Sequence, residues 1–290
     1  MNVPLGIFFA LLAMILWGVE EFLLKRAIAG IGSATTFLVN TTAGTFLQIL
    51  VVVFFLDSAI TSLSAPDLAL VFAVAILAFF GYITFYRALE RQKLSLIASL
   101  DESWVIIAVI IAVIVFGETL TSTHIVAILA VLGGAFLVSV DFSRFKEMRF
   151  ITGSGYEFFS VILIGIVVPL DKLLVTRIGE ANTILYHSIL ILLALFLWKL
   201  FVREHFVRPT KRLFVIGALS GIADGLAFIA YILALKAVWV SIVAPIVAST
   251  ALVAVLLAWI FLRERMAVKQ IAGAALILAG VLTLSTVFEF

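Results

Sequence analysis

Ten apolar stretches, each near the length that crosses a bilayer, decide most of what this chain can become. They run over roughly 5–27, 34–56, 67–86, 94–116, 121–140, 156–176, 181–202, 212–235, 240–262 and 267–287, parted by short polar breaks. A spanning helix needs about 20 mainly apolar residues. Backbone groups in hydrocarbon must bond within their own segment, so the stretches are read as helices. None alternates as a barrel strand would. The chain is 65% hydrophobic and 12% charged, with mean hydropathy +1.32. A soluble domain is about half apolar and about a quarter charged. The expectation is an all-α polytopic membrane protein in the cell membrane, its surface covered by lipid. The opening MNVPLGIFF lacks the basic segment and cleavage site of a signal peptide and reads as the start of span 1.

The ten stretches fall into two sets of five. Residues 85–137 align without a gap on 231–283, a shift of 146 positions, with 13 identical pairs. The shared pattern matters more than the identities. Ser95 and Ser241 open an apolar run, Glu118 and Glu264 close it, and a second run follows. A shift of 147 aligns Gly18 with Gly165, Lys25 with Lys172 and Asn40 with His187. Self-similarity at a fixed period implies one unit used twice. The units are 1–142 and 156–290, joined by 143–155. A unit of five spans enters the membrane from opposite sides in its two copies. The expected architecture is therefore ten transmembrane helices in a 5+5 inverted repeat, with a site near the midplane between the copies.

Charge and composition exclude several classes. The net charge of +2 and the lack of basic runs give no footprint for nucleic acid. Cysteine is absent, and the three histidines are scattered, so no metal, cofactor or thiol chemistry is expected. No P-loop motif is present to drive an ATP pump. No nucleophile or acid pair falls in an enzymatic pattern, so the chain is not read as an enzyme. Of the 19 lysines and arginines, all but Lys172, Arg177 and Lys236 lie at the ends or loops after spans 1, 3, 5, 7 and 9. The positive-inside rule then places both termini outside.

Ten spans in two fives, Trp17-Gly18 in span 1, Gly117-Glu118 closing span 4 and Glu264 closing span 9 resemble the EamA branch of the drug/metabolite transporter superfamily. The resemblance covers essentially the whole chain, on architecture more than on motifs. Arg263-Glu264 stands where that family often has Gly-Glu. The family usually keeps both termini in the cytoplasm, whereas the charges here point the other way. The resemblance implies transport of amino acids and related metabolites.

Ionisable groups inside a span cost about several kcal/mol and are functional suspects. Glu20 lies three residues from Trp17 and reads as facing a cavity. Glu21 and Lys25, at i and i+4, read as a self-paired bridge. Asp101 and Glu102 lie about two turns inside span 4, beside Trp104. One of them faces a cavity, or one pairs with Arg87, Arg91 or Lys93. Asp224, mid-span between glycines, either serves a site or meets Lys172 or His187. Asn40 and His187 are equivalent polar positions, with packing the plainer role for His187. Tyr82, Tyr86 and Tyr231 end spans and could line a site or merely anchor at the interface. Trp17 and Trp104 beside acids would suit an organic cation. Pro169 and Pro245 are expected to kink their helices. The glycines Gly133, Gly134, Gly273 and Gly280 read as close packing. Glu118 and Glu264 read as structural, in the turn between two spans.

The candidate site is thus Trp17, Glu20, Asn40, Tyr82, Tyr86, Asp101, Glu102, Trp104, His187 and Asp224. Its excess of acids points to amine-bearing substrates or to proton coupling. The leading expectation is a secondary transporter, an exporter, of a small metabolite such as an amino acid or organic amine, working by alternating access. The alternative is a channel or lipid-translocating protein without coupled alternating access.

Overall fold

The computed structural model describes residues 3–56, 60–91, 102–139, 154–202, 204, 206–262 and 267–286, and its regular elements there are all α-helices. In chain order they are α1 (Val3–Phe55), α2 (Ala65–Arg91), α3 (Trp104–Phe116), α4 (Ser122–Ser139), α5 (Ser154–Phe201), α6 (Lys211–Ala237), α7 (Val240–Val247), α8 (Thr250–Leu262) and α9 (Val268–Thr286). Five of them, α1, α2, α5, α6 and α9, are long and apolar enough to cross a membrane. Large side chains such as Phe54, Ile114 and Leu282 are exposed on the outside. Water would not tolerate so apolar a surface, but a bilayer requires it.

The longest helices each contain one break. Gly32 interrupts α1 at φ 73°, ψ 166°, and Gly179 interrupts α5 at φ 79°, ψ 167°. They lie 147 positions apart, the shift that aligns the two copies. Glycine alone takes this positive φ without a side-chain penalty. At both breaks a threonine one turn on, Thr36 or Thr183, donates to the glycine carbonyl at 2.7 Å. Spans 1 and 6 were expected to stop several residues earlier. They run on as helix to the glycines, where the positive φ turns the chain.

Both prolines expected to kink their helices lie inside a helix, Pro169 in α5 and Pro245 in α7. α5 runs on past Pro169 and breaks at Gly179. Span 9 does part, but at Ala248 and Ser249, beyond Pro245, where Ser249 Oγ donates to the Pro245 carbonyl at 3.0 Å.

The helices pack as two-fold related pairs. α1 lies along α6, α2 along α5, and α4 along α9. A Cβ at Gly221 would fall 2.2 Å from the Asn40 carbonyl oxygen, and one at Gly134 would fall 2.6 Å from that of Gly273. These backbones touch, as small residues between apolar helices permit. Gly18 faces Val253 and the Thr250 carbonyl, and Gly165 faces Ile107 and the Trp104 carbonyl. Each contact becomes the other when the copies are exchanged. The same holds for two lysines. Lys25 donates to the Leu89 carbonyl, and its counterpart Lys172 donates to that of Leu235, the counterpart of Leu89. Both carbonyls belong to the last turns of helices, where backbone acceptors lack partners.

Candidate functional site

Between the two copies lies a cavity. α1, α2, α5 and α6 form its walls, with residues from the start of α3 and the α7–α8 junction. α1 contributes most of its polar lining, with Glu20, Glu21, Asn40, Thr41, Thr45 and Gln48, and α5 adds Ser160, Asp171, His187 and Ser188.

Four polar groupings meet there. On one wall Asn40 Nδ2 donates to Glu20 Oε1 at 3.3 Å and lies 3.1 Å from Ser220 Oγ. On the opposite copy His187, the counterpart of Asn40, stands with its Nδ1 3.4 Å from Asp171 Oδ1. Tyr231 Oη donates to Asp171 Oδ2 at 3.4 Å. Asp171 Oδ1 and both His187 ring nitrogens are buried without a hydrogen-bonding partner. Each copy therefore sets a carboxylate of its first helix beside an amide or imidazole of its second. Between them Trp17 Nε1 donates to Asp224 Oδ1 at 2.9 Å, across 207 residues of sequence. At the α7–α8 junction Thr250 Oγ1 lies 3.0 Å from Glu21 Oε1 and 3.1 Å from Glu102 Oε1.

Aromatic rings fill the surface between the acids. Trp17 and Tyr231 lie 5.4 Å apart by centroid, Phe228 and Tyr231 5.9 Å, and Phe228 and His187 4.9 Å. Five carboxylates, of Glu20, Glu21, Glu102, Asp171 and Asp224, line the cavity, and no lysine or arginine is among its described lining residues. Lys25 and Lys172 hold helix ends, and Arg87 pairs with Glu204. Carboxylates set among aromatic faces can hold an ammonium group by hydrogen bonds and cation–π attraction. Among the described residues no group of three or more His, Asp or Glu is arranged to hold a metal.

The structure brings Trp17, Glu20, Asn40, Tyr82, Tyr86, Glu102, Trp104, His187 and Asp224 to this one cavity. Asp101 lies outside the described residues, as does Glu264. Tyr86 and Tyr231 are not interfacial anchors, since they are 5% and 3% exposed and face the cavity, which Tyr82 also lines. Asp224 meets Trp17, whereas Lys172, offered above as its partner, serves the carbonyls of Leu235 and Val238. Reading Glu21 as self-paired overlooked its place on the cavity wall. Asp171 was missed because Pro169 and Lys172 beside it suggested a structural kink. Its position within a span was a sufficient signal. Glu118 lies away from the cavity, and its carboxylate accepts from Val240 N at 2.8 Å and Ser241 N at 2.9 Å, capping α7 in the other copy.

Comparison with known proteins places this geometry. The model of the EamA-like transporter family matches residues 4–140 and 152–286. A solved structure described only as "Crystal structure of protein" superposes with a TM-score of 0.81 at 15% identity, over 97% of this chain and 96% of its own. That likeness is one of fold. No curated protein matches the sequence. Two matches of one family model, one to each copy and together covering nearly the whole chain, show that it belongs to the EamA-like transporter family.

Proposed function

We propose that this EamA-family membrane protein is a secondary carrier that moves a small amine-bearing metabolite, an amino acid or organic amine, by alternating access. The reading counts ten spans, with α1 and α5 each taken as two helices parted at a glycine and α7 and α8 taken together as one. The observation that carries it is the charge of the cavity. Five carboxylates and an aromatic surface line it, with no lysine or arginine among the described lining residues. Acids are costly in a membrane unless they have work there. An ammonium group offsets their charge, and a proton competes with it for the same oxygens. That competition supports coupling transport to protons. The exchange relation between the copies supports alternating access, because each conformation of one copy has a counterpart in the other.

Counterflow in proteoliposomes tests the reading. A carrier preloaded with unlabelled amine accumulates labelled amine from outside and saturates. Asp224→Asn is expected to abolish that accumulation. Flux that neither saturates nor accelerates with an internal load would instead indicate a channel.

A further inference from the structure

The cavity is lined by five carboxylates, and two of them stand at opposite ends of one aromatic strip. Asp224, Phe228 and Tyr231 lie at i, i+4 and i+7 of α6, so they share one face. Seven residues of helix rise about 10 Å, which separates Asp224 from the level at which Tyr231 leaves the helix. The Tyr231 hydroxyl is hydrogen-bonded to Asp171. Trp17 packs on the Tyr231 ring and donates to Asp224, which ties the two ends together.

The far end is chemically incomplete. Asp171 and His187 are 2% and 1% exposed, yet Asp171 Oδ1 and both imidazole nitrogens lack hydrogen-bonding partners. Buried polar groups are rarely left so. An ammonium group brings three donors and no acceptor, so one such group can serve both Asp171 Oδ1 and an imidazole lone pair. At the near end Asp224 has the neutral indole donor and a face open to the cavity. Between the ends the Phe228 and Tyr231 rings offer an apolar surface for methylene groups.

We infer that the cavity is built for a linear α,ω-diamine or longer polyamine, with one ammonium on Asp224 beside Trp17 and the other on Asp171 beside His187 and Tyr231. This rests on the amine reading given above and names the class of amine. A monoamine would leave one of the two buried acids to be neutralised by a proton instead of by a second ammonium.

The test is calorimetric titration of the full chain in detergent with the series from 1,2-diaminoethane to 1,8-diaminooctane. Each diamine is paired with the n-alkylamine of equal length. Diamine affinity is expected to peak at an intermediate length, at least about tenfold tighter than the matched monoamine, as a second charge-assisted hydrogen bond implies. Asp171→Asn should bring the diamine down to the monoamine level. Asp171→Glu, one methylene longer, should move the optimum to a shorter diamine. Equal binding of monoamines and diamines at every length would overturn the inference while leaving an amine carrier standing. Binding of neither would overturn both. An optimum unmoved in Asp171→Glu would remove Asp171 from the site. The length series on the unaltered protein decides the main point even where a variant fails to fold.

Discussion

Glu118→Ala should destabilise the protein without touching the cavity. The Glu118 carboxylate is 4% exposed and accepts two backbone hydrogen bonds, from Val240 at 2.8 Å and Ser241 at 2.9 Å. Those N–H groups begin α7, where the helix has no internal acceptors for them. Hydrogen bonds to a charged group contribute about 1.5–3 kcal/mol each, and loss of a helix cap costs about 0.5–2 kcal/mol. With relaxation, Glu118→Ala should cost roughly 2–4 kcal/mol in all. Glu118→Gln keeps one good acceptor and loses the charge, so roughly half that loss is expected. For a chain of this size the larger loss is on the order of 10 °C in Tm. The assay is thermal unfolding in detergent followed by intrinsic tryptophan fluorescence, with amine affinity measured on the folded fraction. A melting temperature for Glu118→Ala within error of the unaltered protein would refute the capping role. A lost amine affinity at unchanged stability would place Glu118 in the transport site instead.

Three further outcomes follow from the same reasoning. Lys25→Met and Lys172→Met should each cost about 1–2 kcal/mol, because each removes a charged donor from helix-end carbonyls. Similar losses in the two variants, read from denaturant unfolding in mixed micelles, would bear out their equivalence, and a loss in only one would break it. Gly221→Ala puts a methyl 2.2 Å from the Asn40 carbonyl oxygen, where only backbone can yield. It should cost about 3 kcal/mol and lower the yield of folded protein in size-exclusion chromatography. Because the chain has no cysteine, one can be introduced at either end of the bundle as a topology label. With both termini outside, an impermeant maleimide on intact cells should label Ser62→Cys and spare Arg208→Cys, and the reverse pattern would overturn the charge-based orientation.

How much of the site was legible depended on the kind of signal. Glu20, Glu102, Asp224 and His187 stood out because a polar group inside an apolar run is costly wherever it points. They line the cavity. Tyr231 and Glu21 were read too blandly. A tyrosine near a span end and an acid four residues from a lysine each have an ordinary local explanation, and sequence spacing favours the local one. The lysines made the same point in reverse. The repeat aligned them, and both hold the same carbonyl in their respective copies.

The sequence by itself determined that the chain lives in a membrane, that it is helical, and that it is one unit used twice. Those properties follow from composition, run length and period, which are sums over neighbouring residues and need no knowledge of what packs against what. Only the tertiary structure decided which polar groups meet. Trp17 finds Asp224, Glu21 finds Thr250, and Glu118 caps α7, all across more than a hundred residues. A buried hydrogen bond is short and directional, so its existence depends on helix rotation and register to within about an ångström. Helix rotation and register are set by packing, here by glycines such as Gly221 and Gly134 that let backbones touch. No local pattern in the chain encodes that placement.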